Sequence, residues 1–308
     1  MQSSGLFIGM VTLDLIYRVD RFPHSNQKIA ASDCAIAAGG PATNAAVAFS
    51  TLGSRALLLG AIGNSPYSRL IQEDLEARGV TSLDVAADAT LSPPISSIIT
   101  TKETGDRAVV SLPGSRVPVP AARFPPGFLL DCDIILWDGH QLELSRACAD
   151  LRETAARARA KEIPIVLDGG SWKPGLQDVL PAVDYAICSD DFYPPSCNNR
   201  QDVLDYLTGL NIPYIAITGG ERPIQYLAGG RAGWVDVPSI EPVDTLGAGD
   251  IFHGAFCHYI LKHDFLEALS RAAEVAAFSC QFFGTRAWCK EISQRFTLSQ
   301  DDMLGENT

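Results

Sequence analysis

Positive charge is scarce in this chain of 308 residues, in which 24 Lys and Arg stand against 36 Asp and Glu, for a formal net charge of -12. Proteins that bind nucleic acids generally carry a surplus of Lys and Arg that displaces counterions from phosphates, so the composition argues against a nucleic-acid partner. A nucleotide ligand is still allowed, because backbone N–H groups at one site can outweigh a distant negative field.

Paired cysteines and long hydrophobic runs are absent as well. The eight cysteines form no CxxC pair, so neither a zinc site nor a disulfide scaffold is indicated, and we expect free thiols in a reducing cytoplasm. No apolar run approaches the roughly 20 residues that cross a bilayer. The apolar residues 1–16 have no basic start and are interrupted by Asp14, which is typical of a buried strand rather than a signal peptide. These absences predict a soluble protein without a membrane partner.

Several common catalytic motifs are also missing. There is no Gly-Lys pair for a phosphate-binding P-loop, no GxSxG nucleophile elbow and no HExxH zinc motif. No GxGxxG follows the first apolar strand, which leaves a dinucleotide-dependent dehydrogenase without support. His253, His258 and His263 are spaced by five and do not share a helical face, so we expect solvent-facing or capping groups rather than metal ligands.

Apolar, β-branched runs alternate with helical patterns along the chain. The pattern begins with a strand over residues 6–11 and ends with two helices over about 248–262 and 266–282. Such alternation predicts an α/β fold with a doubly wound, mostly parallel central sheet flanked by helices. We expect one domain over residues 1–308.

Two segments, residues 16–37 and 96–112, interrupt this rhythm. They lack helical periodicity and contain short alternating runs, which favour strands. We expect them to form a small separate β-sheet that acts as a lid over a site; an edge extension of the main sheet is the alternative. The exposed sheet also leaves open a homodimer that forms through the lid.

The segment 244–250 is the most informative, and it reads DTLGAGD. Gly247, Ala248 and Gly249 precede an apolar helix, where backbone N–H groups and the helix dipole attract an anion. Asp250 lies in the first turn, and its carboxylate can accept a proton from a hydroxyl beside that anion. The alternative is an ordinary first-turn acid after a glycine-rich turn.

A second glycine-rich turn occupies residues 39–46 and reads GGPATNAA. Gly39 and Gly40 allow close approach of the backbone, and the Asn44 amide can both donate and accept hydrogen bonds, which suits a neutral polyol. An ordinary strand-to-helix turn with a surface Asn is the alternative.

Together these two segments resemble the two signatures of the ribokinase-like, or PfkB, carbohydrate kinase family. The resemblance extends to Asp14 at the end of the first apolar run and to the ITGG sequence at 217–220. It implies a ribokinase-like fold and an ATP-dependent kinase that phosphorylates a hydroxymethyl group of a small sugar. The WDGH sequence at 137–140 looks nearest to the ketohexokinase-like branch. A nucleoside kinase and a non-catalytic nucleotide- or sugar-binding relative stay as alternatives.

The resemblance also implies roles for individual residues. Asp250 would be the base, and Gly247, Ala248 and Gly249 would form the anion hole. The residues implied in sugar binding are Asp14, Gly39, Gly40, Asn44, Asp138 and, on the lid, Arg107, for which a solvated arginine is the alternative. Those implied along the ATP are Lys173, Thr218, Gly219, Gly220 and Gly284.

Two positions depart from the family pattern at its cation sites. The family often carries an Asn-x-x-Glu pattern that organises Mg²⁺, whereas this chain has SDDF at 189–192. Asp190 would substitute there through a bridging water, since Mg²⁺ commonly keeps most of its waters. Leu246 stands where the family often has a hydroxyl residue, so a monovalent cation such as K⁺ has weak support and stays open.

Overall fold

The computed structural model describes residues 2–102, 105–112, 132–159 and 162–292. Its large sheet has nine strands in the order β13-β12-β11-β10-β9-β8-β1-β4-β5. These strands are β1 (Ser4–Ile8), β4 (Arg55–Gly60), β5 (Val80–Asp84), β8 (Ile134–Trp137), β9 (Ile165–Gly169), β10 (Tyr185–Ser189), β11 (Tyr214–Gly219), β12 (Arg222–Ala228) and β13 (Arg231–Val235). The helices are α1 (Pro41–Thr51), α2 (Pro66–Ala77), α3 (Leu142–Arg159), α4 (Arg200–Gly209), α5 (Ala248–Ile260) and α6 (Phe265–Ser279).

Pairing in this sheet is parallel from β5 through β11, and β12 and β13 add an antiparallel edge. Every residue of β1, β8 and β9 is buried, as expected for parallel strands covered by helices on both faces. Side chains alternate between two cores: Phe7 packs on one face, and Leu6 and Ile8 pack on the other. The predicted doubly wound sheet is confirmed.

Four strands form a separate small sheet in the order β3-β2-β6-β7, made of β2 (Thr12–Val19), β3 (Asp33–Gly39), β6 (Ile95–Thr101) and β7 (Arg107–Ser111). This confirms the second sheet of the predicted fold class, and it excludes the alternative of an edge extension. All five residues of β7 are exposed, so this strand leaves one edge of the small sheet open to solvent.

The first predicted strand, residues 6–11, is wrong at its end. β1 stops at Ile8, and the chain turns away to join the small sheet at Thr12. The turn is possible because residue 9 is glycine: a Cβ there would lie 2.0 Å from an oxygen of Asp138. Met10 then donates its backbone N–H to Asp138 Oδ2 at 2.8 Å, which holds the turn.

Two histidines also differ from expectation. His253 and His258 are buried on α5 rather than solvent-facing, with exposed fractions of 4% and 7%. Their side chains contact different parts of the fold, because residues five apart on a helix point in different directions. Among the described residues, no helix combines the length and the apolar character that crossing a membrane requires.

Candidate active site

The head of α5 begins with a glycine that no other residue replaces easily. Gly247 has φ +72°, in the left-handed region, and a Cβ on it would lie 2.9 Å from Thr285. The amide of Ala248 already donates to the Thr245 carbonyl at 3.3 Å. Gly249 and Asp250 follow in the first helical turn, whose N–H groups have no intrahelical acceptor. An anion is therefore favoured at this point of the fold.

Asp250 and Asn44 meet although they are 206 residues apart. Asn44 Nδ2 donates to Asp250 Oδ2 at 2.8 Å. The contact depends on the close approach of α1 and α5, which Gly254 permits: a Cβ there would lie 2.2 Å from the Ala45 carbonyl oxygen. The two glycine-rich turns of the sequence are thus brought together at one place.

The surroundings of Asp250 favour its protonated form. Burial raises its pKa to about 7, the neighbouring Asp168 adds to the rise, and the Asn44 hydrogen bond opposes it. The remaining charged neighbours are His253, which lowers the pKa, and Asp138, which raises it. A carboxyl group with a pKa near neutrality is suited to taking up and releasing a proton.

Asp14 lies in the small sheet directly against Gly39. A Cβ at residue 39 would come within 2.0 Å of Asp14 Oδ2, so the absence of a side chain there is what accommodates the carboxylate. Burial raises the pKa of Asp14, against hydrogen bonds from Thr12 and Ser96 that lower it. The Thr12 hydroxyl donates to Asp14 Oδ1 at 2.7 Å.

Asp138 serves the backbone rather than an open site. Its carboxylate accepts N–H groups from Met10, from Ala42 at 3.3 Å and from His140 at 2.9 Å. Burial acts to raise its pKa, but His140 and these amides together hold the pKa below its usual range. Next to it, Gly40 starts α1 with φ +102°, and a Cβ there would lie 2.1 Å from the Met10 carbonyl oxygen. Both oxygens of Asp138 accept backbone N–H groups, and its predicted contact with the sugar stays a prediction.

Arg107 of the small sheet reaches the loop before α5. Its guanidinium donates to Thr245 Oγ1 at 3.1 Å and to the Thr245 carbonyl at 3.4 Å. The side chain is exposed, so these bonds are accessible to solvent. The small sheet thus contacts the candidate anion site directly.

A cavity of about 480 Å³ lies on the other side of the α5 head. Thr218 and Gly220 line it from the end of β11, as the sequence predicts for the nucleotide, and Ala248 and Gly249 line it from α5. Much of the remaining wall is apolar, and its alanines are small: Ile224, Val237, Ile240, Phe252, Ala273, Ala276 and Ala277. Small side chains along α6 leave room for a flat, apolar ligand group.

The predicted cation ligand Asp190 is already paired. Arg200 binds both of its oxygens, including Nη2 to Oδ2 at 2.8 Å, and Arg222 binds Oδ2 as well. These arginines hold the pKa of Asp190 below its usual range, through the Arg200 hydrogen bond first. This cluster passes close to Gly219, where a side chain would not fit because its Cβ would lie 2.3 Å from Arg200. The carboxylate of Asp190 does not fit a direct magnesium ligand in this arrangement, and its predicted contact through a bridging water stays a prediction.

Three predicted nucleotide residues, Lys173, Gly219 and Gly284, lie outside the cavity wall. Lys173 donates its ammonium to the Ser171 carbonyl at 3.1 Å. Gly284 has φ +72° and donates its N–H to the buried Asp244 at 3.0 Å. Their predicted contacts with ATP stay predictions. Among the described residues, no group of three or more His, Cys, Asp or Glu is placed to hold a metal ion.

Sequence reasoning missed two polar residues of this site. Arg286 donates to Asn44 Oδ1 at 2.9 Å. In that region the sequence pattern singles out Gly284 and not the arginine two residues later. Asp168 ends β9 with its Oδ2 buried and without a hydrogen-bond partner, and it lies 3.5 Å from His253 Nδ1. A polar residue at the carboxyl end of a buried strand is the signal that would have found Asp168.

Comparison with known proteins gives one consistent result. The family model "pfkB family carbohydrate kinase" matches residues 3–292. Ribokinase of Bacillus subtilis strain 168 is 26% identical over 277 residues, 88% of this chain and 90% of that protein. Fructosamine kinase of the same strain is 28% identical over 254 residues, 80% and 84% respectively. The structure of Arabidopsis thaliana ribokinase complexed with ribose and ATP has a TM-score of 0.73 at 18% identity, over 96% of this chain and 99% of that one, which is a likeness of fold.

Proposed function

This chain belongs to the pfkB family of carbohydrate kinases, and we propose that it transfers the γ-phosphoryl group of ATP to a hydroxymethyl group of a small, ketohexose-like sugar. The observation that carries the proposal is the position of Asp250. Its carboxylate lies at the head of α5, bonded to Asn44 on one side, while the adjacent Gly249 lines the cavity on the other. Acceptor and nucleotide would meet there.

The proposed reaction needs a base and a site for negative charge. The sugar hydroxyl oxygen attacks the γ-phosphorus, the bond to the departing ADP oxygen breaks, and the hydroxyl proton passes to Asp250. The amides of Gly247, Ala248 and Gly249, with the α5 dipole, would stabilise the charge spread over the phosphoryl oxygens. Positioning and electrostatics are the main requirements of phosphoryl transfer, and both are supplied by one helix terminus.

The cavity suits the nucleotide in size and in lining. Thr218 and Gly220 would lie along the phosphates, and the alanines of α6 would pack against the base. Kinases of this family typically use a divalent metal with ATP. Since Asp190 is held by two arginines, we assign no described side chain to Mg²⁺ or to K⁺, and no step above depends on a protein-bound ion.

The acceptor would bind between the two sheets. Asp14, Asn44 and the Gly39–Gly40 backbone offer carboxylate, amide and N–H groups, which match several neighbouring hydroxyls. Arg107 would hold the small sheet over the sugar, because its hydrogen bond to Thr245 links β7 to the anion site. Such closure excludes water and limits wasteful hydrolysis of ATP.

We also propose that the small sheet mediates a homodimer. Apolar side chains are exposed on it, with exposed fractions of 55% at Ile36, 50% at Val109 and 75% at Val110. An open edge strand with apolar side chains favours pairing with a second copy. Sedimentation of the wild type should give a dimer and Val110→Lys a monomer; monomeric wild type would remove the dimer.

The experiment for the proposed function is a panel of sugars and nucleosides with ATP, with products identified by mass. A phosphorylated sugar supports the proposal, a phosphorylated nucleoside makes the chain a nucleoside kinase, and the absence of any product despite ATP binding makes it a binding protein.

A matched pair of glycine variants tests the acceptor side. Gly39→Ala drives a methyl group into Asp14, and a misplacement of about 1 Å can cost about 10²-fold in kcat/KM for the acceptor. Gly209→Ala places its methyl group in open space at the end of α4 and should leave kcat/KM unchanged. Equal effects of the two variants would contradict a role for the Gly39–Asp14 contact.

A further inference from the structure

Arg286 connects four parts of the fold from a nearly buried position, with 10% of its side chain exposed. It donates to Asp74 of α2 at 3.0 Å, to the Ala38 carbonyl of β3 at 2.6 Å and to Asn44 of α1 at 2.9 Å. Its own loop supplies two more acceptors, the carbonyl and hydroxyl of Thr285, at 3.1 and 3.0 Å. A guanidinium with this many fixed acceptors has one orientation.

That orientation decides which way the Asn44 amide points. A guanidinium carries only donors, so the atom of Asn44 that faces it must be the amide oxygen. The NH₂ group of Asn44 then necessarily faces Asp250, to which it donates at 2.8 Å. If the amide were reversed, its oxygen would face a carboxylate oxygen and its NH₂ group would face the guanidinium, and both contacts would be repulsive.

We infer that Arg286 is a positioning residue: it locks the Asn44 amide so that Asn44 donates to Asp250. This inference rests on the proposed role of Asp250 as the base. Arg286 acts through Asn44, because its hydrogen bonds go to Asp74, Ala38, Asn44 and Thr285 and not to Asp250. No member of this chain of contacts is adjacent in sequence to the next, since 242 residues separate Arg286 from Asn44.

Asp74 anchors the guanidinium from behind. One of its oxygens, Oδ2, accepts both Arg286 Nε and the backbone N–H of Ala38, each at 3.0 Å. Ala38 precedes the Gly39–Gly40 turn, so the same cluster holds the turn against which Asp14 lies. A lysine could not replace Arg286 here, because its ammonium lacks the planar fork that reaches several acceptors at once.

The Asn44 donor has a defined electrostatic task at Asp250. The other groups acting on that carboxyl are Asp168 of β9, Asp138 just after β8 and His253 of α5, and the two aspartates favour the protonated form. The hydrogen bond from Asn44 favours the ionised form, which is the form that accepts the substrate proton. Loss of Arg286 frees the amide to rotate and removes this support.

A double-mutant cycle tests the inference in the full chain. Arg286→Met and Asn44→Ala should each lower kcat by about 10- to 100-fold, as expected when a hydrogen bond to a charged group is lost. The double variant should be no worse than the poorer single variant, because both remove the same contact. Multiplying effects would mean that Arg286 acts independently of Asn44 and would overturn the inference.

Two further variants separate positioning from folding. Arg78→Met removes another arginine beside Asp74, whose Nε lies 3.9 Å from Asp74 Oδ1, and it should leave kcat at the wild-type level. Arg286→Lys keeps the charge and the fold but loses the fork, so kcat should fall while nucleotide affinity and Tm stay near wild type. If Arg286→Lys retains full kcat, the fork is dispensable and the inference is wrong.

A measurement without turnover decides the inference independently of the proposed function. The Asp250 carboxyl is titrated by carbon-13 NMR in wild type and in Arg286→Met, with its signal assigned by its loss in Asp250→Asn. The midpoint should rise by about one pH unit or more in Arg286→Met. An unchanged midpoint overturns the inference, whereas a wild type that phosphorylates nothing in the acceptor panel overturns only the proposed function.

Discussion

The two ends of α5 each carry a titratable side chain removed from solvent, His258 almost completely and Asp250 in part, and their pKa values shift in opposite directions. Near its start, burial raises the pKa of Asp250 to about 7. Near its end, burial lowers the pKa of His258 to about 4, with the charges of Lys262 and His263 adding to the effect. Both groups are driven toward their neutral forms, as desolvation requires, at positions about 12 Å apart along one helix axis.

The hydrogen-bond partners of the proposed base Asp250 differ in kind from those of His258. His258 lies between Ser54 Oγ at 2.8 Å and Lys262 Nζ at 3.2 Å, which suit a neutral ring: Nε2 accepts from the ammonium and Nδ1 donates to the hydroxyl. Asp250 accepts a hydrogen bond from Asn44, which stabilises the ionised form that burial opposes. Both ring nitrogens of neutral His258 are hydrogen-bonded, whereas the Asp250 carboxyl has a pKa near 7, where its protonated and ionised forms are both present.

The largest expected effect is on turnover. Asp250→Asn keeps the shape of the side chain and the contact with Asn44 but cannot accept a proton, so kcat should fall by about 10²–10⁴-fold. Nucleotide affinity should change little, because the cavity wall is intact. The measurement is steady-state kcat together with the dissociation constant for ATP. Retained turnover would remove Asp250 from the role of base.

The next effect is the pH dependence of wild-type turnover. The base must be ionised, so kcat/KM should fall about tenfold for each pH unit below the Asp250 pKa of about 7, and it should level off above that value. A pH–rate profile between pH 5 and 9 measures the midpoint. A profile that is flat through this range would mean that no group with a pKa near 7 limits the reaction.

At the other end of the helix, the effect should fall on stability. His258→Gln breaks the fit with Ser54 and leaves a buried polar group poorly paired, at a cost of about 1–3 kcal/mol in the free energy of unfolding. Denaturant titration measures the loss, and kcat should stay close to wild type.

The pH trend of that loss has a definite sign. Folding lowers the His258 pKa, so its contribution is complete above pH 6.5 and is lost as pH falls toward 4. The difference between wild type and His258→Gln should therefore shrink from pH 7.5 to pH 4.5. A difference that grew with acid would contradict the comparison.

A further effect is a gain of stability in the Asp250→Asn variant. Folding raises the Asp250 pKa from 3.8 to about 7, so the folded chain loses stability as pH rises through that window. Asp250→Asn avoids this loss, and its Tm should exceed that of wild type at pH 8, by about 2–4 °C for each kcal/mol recovered. Scanning calorimetry at pH 8 and pH 4 should find the gain at pH 8 only; a gain of equal size at both would point to a cause other than ionisation.

The sequence predicts the parts of this site that depend on local pattern. A glycine-rich turn before an apolar helix indicates an anion site, so Gly247 and Asp250 are recognisable from the seven residues 244–250. The same holds for the buried strands β8 and β9, whose apolar runs admit few other structures.

The parts that were missed depend on contacts between distant segments. Nothing near Arg286 in the chain indicates that it reaches Asn44, because α1 and the C-terminal loop meet only in the folded protein. Likewise, the sequence predicts Asp190 as a cation ligand, because Arg200 and Arg222 meet its carboxylate only in the folded protein. The edge strand β13 is mostly exposed and mixed in composition, so it lacks the alternation that reveals a strand.

The most direct measurement is a crystal structure of the protein with a non-hydrolysable ATP analogue and the sugar that the acceptor panel identifies. The account predicts the reacting hydroxyl within about 2.6–3.2 Å of the Asp250 carboxylate and the terminal phosphate against the amides of residues 247–249. A sugar whose hydroxyls all lie nearer to Asp14 or Asp138, or an analogue whose phosphates point away from the head of α5, would contradict it.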